Sequence, residues 1–294
     1  MGGGTGGTDD RDSAAGSETG AGQSAGDDQR RLDPDTADRA VEPSPDWDQT
    51  AGRDASAPAP APIRRREPAF NLPSSLVWVL AVLLVIHAVR VFLLPEDLDA
   101  ELVFTFAFLP ARYAMSLAVQ GFAWLWSPIT YSFLHGSWEH VIFNAFWMVA
   151  FGAPVVRRIG TVRFALFWCC SAVAAVALHL LLHWGEIGVV IGASGVVSGL
   201  MGAAARFVFA PSGAIDRQRA HLNPRLSIGQ ALANRSVLFF TGIWFVMNLL
   251  VGLGLFAIAG ADTVAWEAHI GGFLFGFLLF GLFDPQPRVS VDHP

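Results

Sequence analysis

Apolar residues in this chain are gathered into long blocks separated by short polar intervals, and the blocks begin only after residue 70. Six of them, at 73–94, 137–156, 163–183, 189–209, 236–257 and 265–283, approach the roughly 20 residues that a helix needs to cross the hydrocarbon core of a bilayer. They predict six transmembrane helices. A further stretch, 100–127, is also apolar, but it carries Pro110, Arg112 and Gln120 and is flanked by Glu96, Asp97, Asp99 and Glu101. It reads either as a seventh span or as an interfacial loop.

Arginine positions choose between these readings, because Arg near span ends is retained on the cytoplasmic side. With six spans, Arg64, Arg65, Arg66, Arg157, Arg158, Arg163, Arg206, Arg217, Arg219, Arg225, Arg235 and Arg288 share one side, and only Arg90 and Arg112 fall elsewhere. A seventh crossing would put the basic residues around 157 and 217 opposite Arg64. Six spans with both termini cytoplasmic are therefore expected. The acids Glu96, Asp97, Asp99, Glu101, Glu139, Glu186, Asp262 and Glu267 then face outward, a weaker signal because acids contribute little to topology.

Composition sharpens the division. Of the 294 residues 53% are hydrophobic, yet residues 1–63 hold 13 acidic residues and 5 Arg among Gly, Ala, Ser and Pro, with almost nothing to bury. Residues 1–69 are expected to be a disordered acidic cytoplasmic tail, 70–284 the six-helix domain, and 285–294 a short cytoplasmic tail. The net charge of −6 belongs to the first of these, since residues 64–294 carry 14 Arg and 12 acids. There is no lysine and no basic cluster on a soluble face, which argues against nucleic-acid binding. No positively charged start leads into an apolar run, so no cleaved signal peptide is expected and the first span targets the chain. Cys169 and Cys170 are adjacent in an apolar run, point in different directions on a helix, and read as packing residues.

In this topology spans two, four and six all enter from the outer side, so their first turns share one depth. Those turns hold the unusual polar residues: His135-Gly136-Ser137-Trp138-Glu139-His140 and Asn144 on span two, Gly192-Ala193-Ser194-Gly195 on span four, and His269-Ile270-Gly271-Gly272 on span six. At about 1.5 Å per residue each lies within roughly 5 to 10 Å of its span's start. His140 and Asn144, at i and i+4, share a helix face, and both can donate hydrogen bonds to an oxyanion. Ser194 sits between glycines that permit close backbone approach and leave its N–H free as a further donor. A serine hydroxyl is a weak nucleophile until a base takes its proton, and His269 is the matching base.

Base and nucleophile can touch only if spans four and six pack closely, which in lipid depends on small residues. Gly195, Gly199 and Gly202 lie at helical spacing in span four, and Gly272 and Gly276 form a G-x-x-x-G pair in span six. Both stripes start beside the candidate chemistry. No Asp or Glu stands at i±3 or i±4 from His269, and Glu267, two residues away, faces elsewhere on a helix. A Ser–His dyad is favoured over a triad.

At these residues the sequence resembles the rhomboid family of intramembrane serine proteases. The matching stretches are HGSWEHVIFNAFWMVAFG (His135–Gly152), GASGVVSGLMG (Gly192–Gly202) and AHIGGFLFG (Ala268–Gly276), in the family's order, and the likeness covers about residues 70–284. It implies an all-α, six-helix membrane bundle whose first loop, residues 95–127, lies partly in the outer leaflet. It implies Ser194 as nucleophile, His269 as base, His140 and Asn144 as oxyanion partners, and a structural role for His135. It also implies membrane-protein clients cut in a transmembrane helix, access by movement of span five around Trp244 and Phe245, and no metal or cofactor. A bacterial inner membrane is the expected location; the oligomeric state is not indicated. Two positions depart from the pattern. Trp126 is followed by Ser127 where some members have Trp-Arg, and Ser198 stands where an aromatic residue often packs on the base histidine.

Plainer readings suit other polar residues. Ser198 is expected to bond its own helix, and His87, His179 and His183, which belong to no motif, read as interfacial or packing residues. His221 falls in a basic loop, and Trp138, Trp184 and Trp266 fit an outer aromatic belt. Two other functional classes compete. A transporter or channel would need polar residues at the midplane and an intramembrane acid for ion relay. A catalytically inactive client-binding relative would be expected to lack Ser194 or His269.

Overall fold

The computed structural model describes residues 72–116, 118, 121–209, 219–255 and 265–285. The expected tails at 1–69 and 285–294 lie, but for Pro285, outside these residues. The helices are α1 (Ser74–Phe92), α2 (Glu96–Phe106), α3 (Ala123–Thr130), α4 (Trp138–Trp147), α5 (Ala153–Leu182), α6 (Ser194–Ala205), α7 (Ile228–Ala233), α8 (Arg235–Gly252) and α9 (Trp266–Leu279), most of them formed from the apolar runs. No strand occurs among the described residues. One isolated antiparallel bridge joins Phe108 to Val190.

Among the described residues three helical stretches are long and apolar enough to cross a membrane: Ser74–Phe92, Trp138–Leu182 and Arg235–Gly252. The second runs from α4 through one wide turn, Met148–Gly152, into α5, and contains two helices joined at Gly160. There φ is 77°, a left-handed conformation that only glycine adopts without strain and that a right-handed helix cannot continue through. The break falls between the predicted spans 137–156 and 163–183. The predicted spans 189–209 and 265–283 contain shorter helices, α6 and α9.

Their shortness reflects position. Every residue from Gly195 to Ala205 is buried, so α6 is the centre of the bundle, wrapped by α5, α9 and the wide turn after α4. Helices α1 and α8 stand outside, with Val77, Trp78, Val85, Phe92, Phe239 and Val246 exposed. Apolar side chains of this size ringing a helix suit contact with lipid.

The segment expected to be a seventh span or an interfacial loop folds as α2, a turn at Pro110–Ala114, and α3. Arginine and backbone carbonyls hold it in place. Arg90 spans both carboxylate oxygens of Asp99 at 2.6 and 3.1 Å and donates to the carbonyl of His135 at 2.8 Å. Arg112 donates to the carbonyls of Phe104 and Thr105, and Trp126 Nε1 donates to Thr105 O at 3.1 Å. With Ser127 after the tryptophan, the loop is anchored by Arg90 and Arg112. These are the two arginines that the charge rule sets apart from the rest.

Candidate active site

Helices α6 and α9 approach until their backbones touch. A Cβ on Gly272 would fall on the carbonyl of Gly195, one on Gly276 on the carbonyl of Gly199, and one on Gly202 on the carbonyl of Phe273. The two small-residue stripes are therefore the contact itself, and they carry Ser194 and His269 to one another. His269 Nε2 stands 2.8 Å from Ser194 Oγ.

The other ring nitrogen settles the direction of that bond. His269 Nδ1 lies 2.7 Å from Asn248 Oδ1, on α8. A carboxamide oxygen only accepts, so Nδ1 carries the proton, and in the neutral ring Nε2 is left as an acceptor for the Ser194 hydroxyl. Serine, histidine and asparagine thus form a chain of two hydrogen bonds. Asn248 is absent from the sequence-based site; a single amide inside an apolar block carries no spacing signal that would tie it to a residue 21 positions later.

Ser194 is the first residue of α6, and the first N–H groups of a helix have no carbonyl partner within it. With the helix dipole, they favour negative charge beside the serine. Gly192, at φ 120°, turns the chain into this position, and its N–H donates to Tyr131 O at 3.0 Å. A Cβ at Gly192 would stand 2.7 Å from His140 Nε2 and 3.8 Å from Ser194 Oγ, so the imidazole of His140 occupies the space that a side chain would need. Ala193 N–H donates to His135 Nε2 at 3.3 Å, and the rings of His135 and His140 meet edge to face at 5.0 Å. His135 therefore supports the turn before the serine. Asn144 is buried on the face of α4 that bears His140, and its amide donates one N–H to the carbonyl of His140 at 3.0 Å.

Glu267 turns away from His269 toward the end of α5. Its carboxylate meets His179 Nδ1 at 3.4 Å and His183 Nε2 at 3.0 Å, while His183 Nδ1 meets Glu186 at 2.8 Å. His179 and His183 thus do more than pack: they join a second polar cluster. His183 lies just beyond the end of α5.

A hydroxyl within hydrogen-bond reach of an imidazole, beside the first N–H groups of a helix and within a bundle of helices that present apolar faces outward, is an arrangement in a membrane protein that could carry acyl-transfer chemistry. A model of the rhomboid domain matches residues 123–284, and the chain belongs to the rhomboid family of integral membrane proteins. Over 154 residues, 52% of this chain and 33% of the relative, it is 29% identical to RHOMBOID-like protein 4 of Arabidopsis thaliana. Over 155 residues, 53% of this chain and 47% of the relative, it is 28% identical to Rhomboid protease GlpG of Yersinia pestis (strain Pestoides F) and of Yersinia pseudotuberculosis serotype O:3 (strain YPIII). The chain spans between a third and about half the length of these curated relatives.

Proposed function

We propose that this protein is an intramembrane serine endopeptidase that cleaves transmembrane segments of other membrane proteins near the outer membrane surface. The observation that carries the reading is the series Asn248–His269–Ser194, with separations of 2.7 and 2.8 Å. Family membership and the relation to Rhomboid protease GlpG support it.

In the proposed reaction, Ser194 Oγ attacks a peptide carbonyl of a locally unwound client helix while His269 Nε2 takes the hydroxyl proton. Asn248 accepts from Nδ1–H throughout, keeping the ring oriented as it becomes an imidazolium. The oxyanion is stabilised by His140, by the free N–H of Asn144 and by the backbone N–H of Ser194. His269 then gives its proton to the leaving amine, and a water activated by the same ring hydrolyses the acyl-enzyme. Removing one oxyanion donor, as in His140→Ala, lowers turnover on the order of 10² to 10³.

The same reading holds that the chain crosses a bacterial inner membrane six times with both termini cytoplasmic. Gly160 supports it by dividing the longest helical stretch in two, and α6 and α9 then serve as short, protein-surrounded spans. Clients enter by displacement of α8, around Trp244 and Phe245, from α4. The decisive test is fluorophosphonate labelling, alongside cleavage of a transmembrane substrate, with detergent-solubilised protein. Wild type is expected to be labelled and to cleave; Ser194→Ala and His269→Ala are expected to do neither. Cleavage by purified Ser194→Ala sinks the assignment.

A further inference from the structure

The polar cluster beside the serine site has the composition and spacing of a metal centre. His179 and His183 are one helical turn apart at the end of α5, with rings stacked at a centroid distance of 4.5 Å, and Glu267 reaches them from the first turn of α9. One donor atom from each lies within 4.8 Å of the others. Zinc binds imidazole nitrogen and carboxylate oxygen at about 2.0–2.2 Å, which places neighbouring ligands of a tetrahedral site roughly 3.3–3.6 Å apart. His179 Nδ1 stands 3.4 Å from Glu267 Oε2 and His183 Nε2 3.0 Å from Glu267 Oε1, so each imidazole is at ligand spacing from one oxygen of the carboxylate, and a small rotation of the carboxylate would give both a common ion.

The surroundings fit as well. Glu186 holds His183 Nδ1 at 2.8 Å, so Nε2 is the nitrogen left to ligate, the carboxylate–histidine arrangement that orients metal ligands and raises their basicity. The side chains of His179 and Glu267 are nearly enclosed, whereas that of His183 is 30% exposed and gives an ion access from water. Two imidazoles and one carboxylate select a borderline cation over Mg²⁺ or Ca²⁺, which prefer oxygen.

We propose that His179, His183 and Glu267 bind a divalent transition-metal ion of the zinc type, with water completing the coordination and Glu186 supporting His183. The ion fastens the end of α5 to the first turn of α9, two residues before His269. It takes no part in peptide cleavage.

The test uses the full chain without a histidine tag, in detergent, stripped with a chelator and titrated with Zn²⁺ by calorimetry. Co²⁺ is then substituted to read ligand-field absorption. Wild type is expected to bind one Zn²⁺ that His179→Ala/His183→Ala loses, and to give a tetrahedral Co²⁺ spectrum; Glu186→Gln is expected to weaken binding about 10- to 100-fold. If the double variant does not fold, His183→Asn, a polar change at the part-exposed ligand, is read the same way. Failure of wild type to bind Zn²⁺ overturns the proposal. So does equal binding by wild type and variant, the result expected if His135 and His140 hold the ion instead.

Discussion

A buried carboxamide group that lacks a partner costs about 1–3 kcal/mol, and Asn248 Nδ2 is in that position among the described residues while Oδ1 holds His269. Such a residue is poorly explained by stability. It also answers how the proposed base His269 is held in a chain with Ser198 in place of a packing aromatic: α8 supplies an acceptor where the serine's own helix supplies no ring. Asn248→Leu, which removes an unsatisfied group at similar volume, is expected to keep or raise the melting temperature. Its kcat on a transmembrane substrate is expected to fall at least about tenfold, the equivalent of one hydrogen bond of about 1.4 kcal/mol. Asn248→Asp, which restores an acceptor for Nδ1–H, is expected to recover most of that loss. A Leu variant as active as wild type would remove Asn248 from the mechanism.

At the scale of elements, α6 and α9 meet through backbone and α8 hardly packs at all. Gly276→Ala puts a methyl group on the carbonyl of Gly199, and relief requires the helices to separate. We expect a loss of about 1–3 kcal/mol in stability together with weaker fluorophosphonate labelling, because Ser194 and His269 move apart with their helices. Gly242→Ala on α8 is the matching control: nothing lies within 4 Å of the new methyl, so stability should be unchanged or higher by up to about 1 kcal/mol. Within α8 only Val237 and Asn248 are buried. Its inner side otherwise rests on aromatic contacts such as Trp244 on Phe273, with centroids 4.8 Å apart and planes at 23°. Trp244→Ala gives up about 0.5–1.5 kcal/mol of stacking. Cleavage of a transmembrane substrate should then quicken, with labelling by a small fluorophosphonate unchanged. A slower rate would argue against α8 as the moving element.

Across the whole molecule the two ends of the bundle have different tasks. The proposed chemistry lies at the starts of α4, α6 and α9, while a network of arginines holds the other ends together. Arg158 spans Asp284 with two bonds of 3.0 Å, both side chains fully enclosed, and donates to the carbonyls of His221 and Asn223 at 3.1 and 2.6 Å. Arg206, at the end of α6, donates to Leu226 O at 3.0 and 2.8 Å and to the carbonyl of Phe277. Removing one partner of an enclosed ion pair leaves an uncompensated charge, so Asp284→Ala is expected to cost about 3–5 kcal/mol. The remaining folded protein should label normally at Ser194, at the far ends of the same helices. Thermal melts read alongside labelling of the folded fraction separate the two effects.

Much of this architecture is written in local pattern. Blocks of apolar residues mark where helices partition into lipid, and four-residue spacing places His140 with Asn144 and aligns the glycines that let α6 and α9 touch. These depend only on each residue's neighbours along its own helix and on the difference between water and hydrocarbon, which the order of residues determines by itself. The partners of His269, His179 and His183 depend instead on how helices rotate and cross. Asn248 meets His269 from another helix, and Glu267 stands close to His269 in sequence yet reaches across to α5. Those meetings are decided by tertiary packing, because a side chain's direction toward a different helix leaves no periodic trace in the chain that carries it.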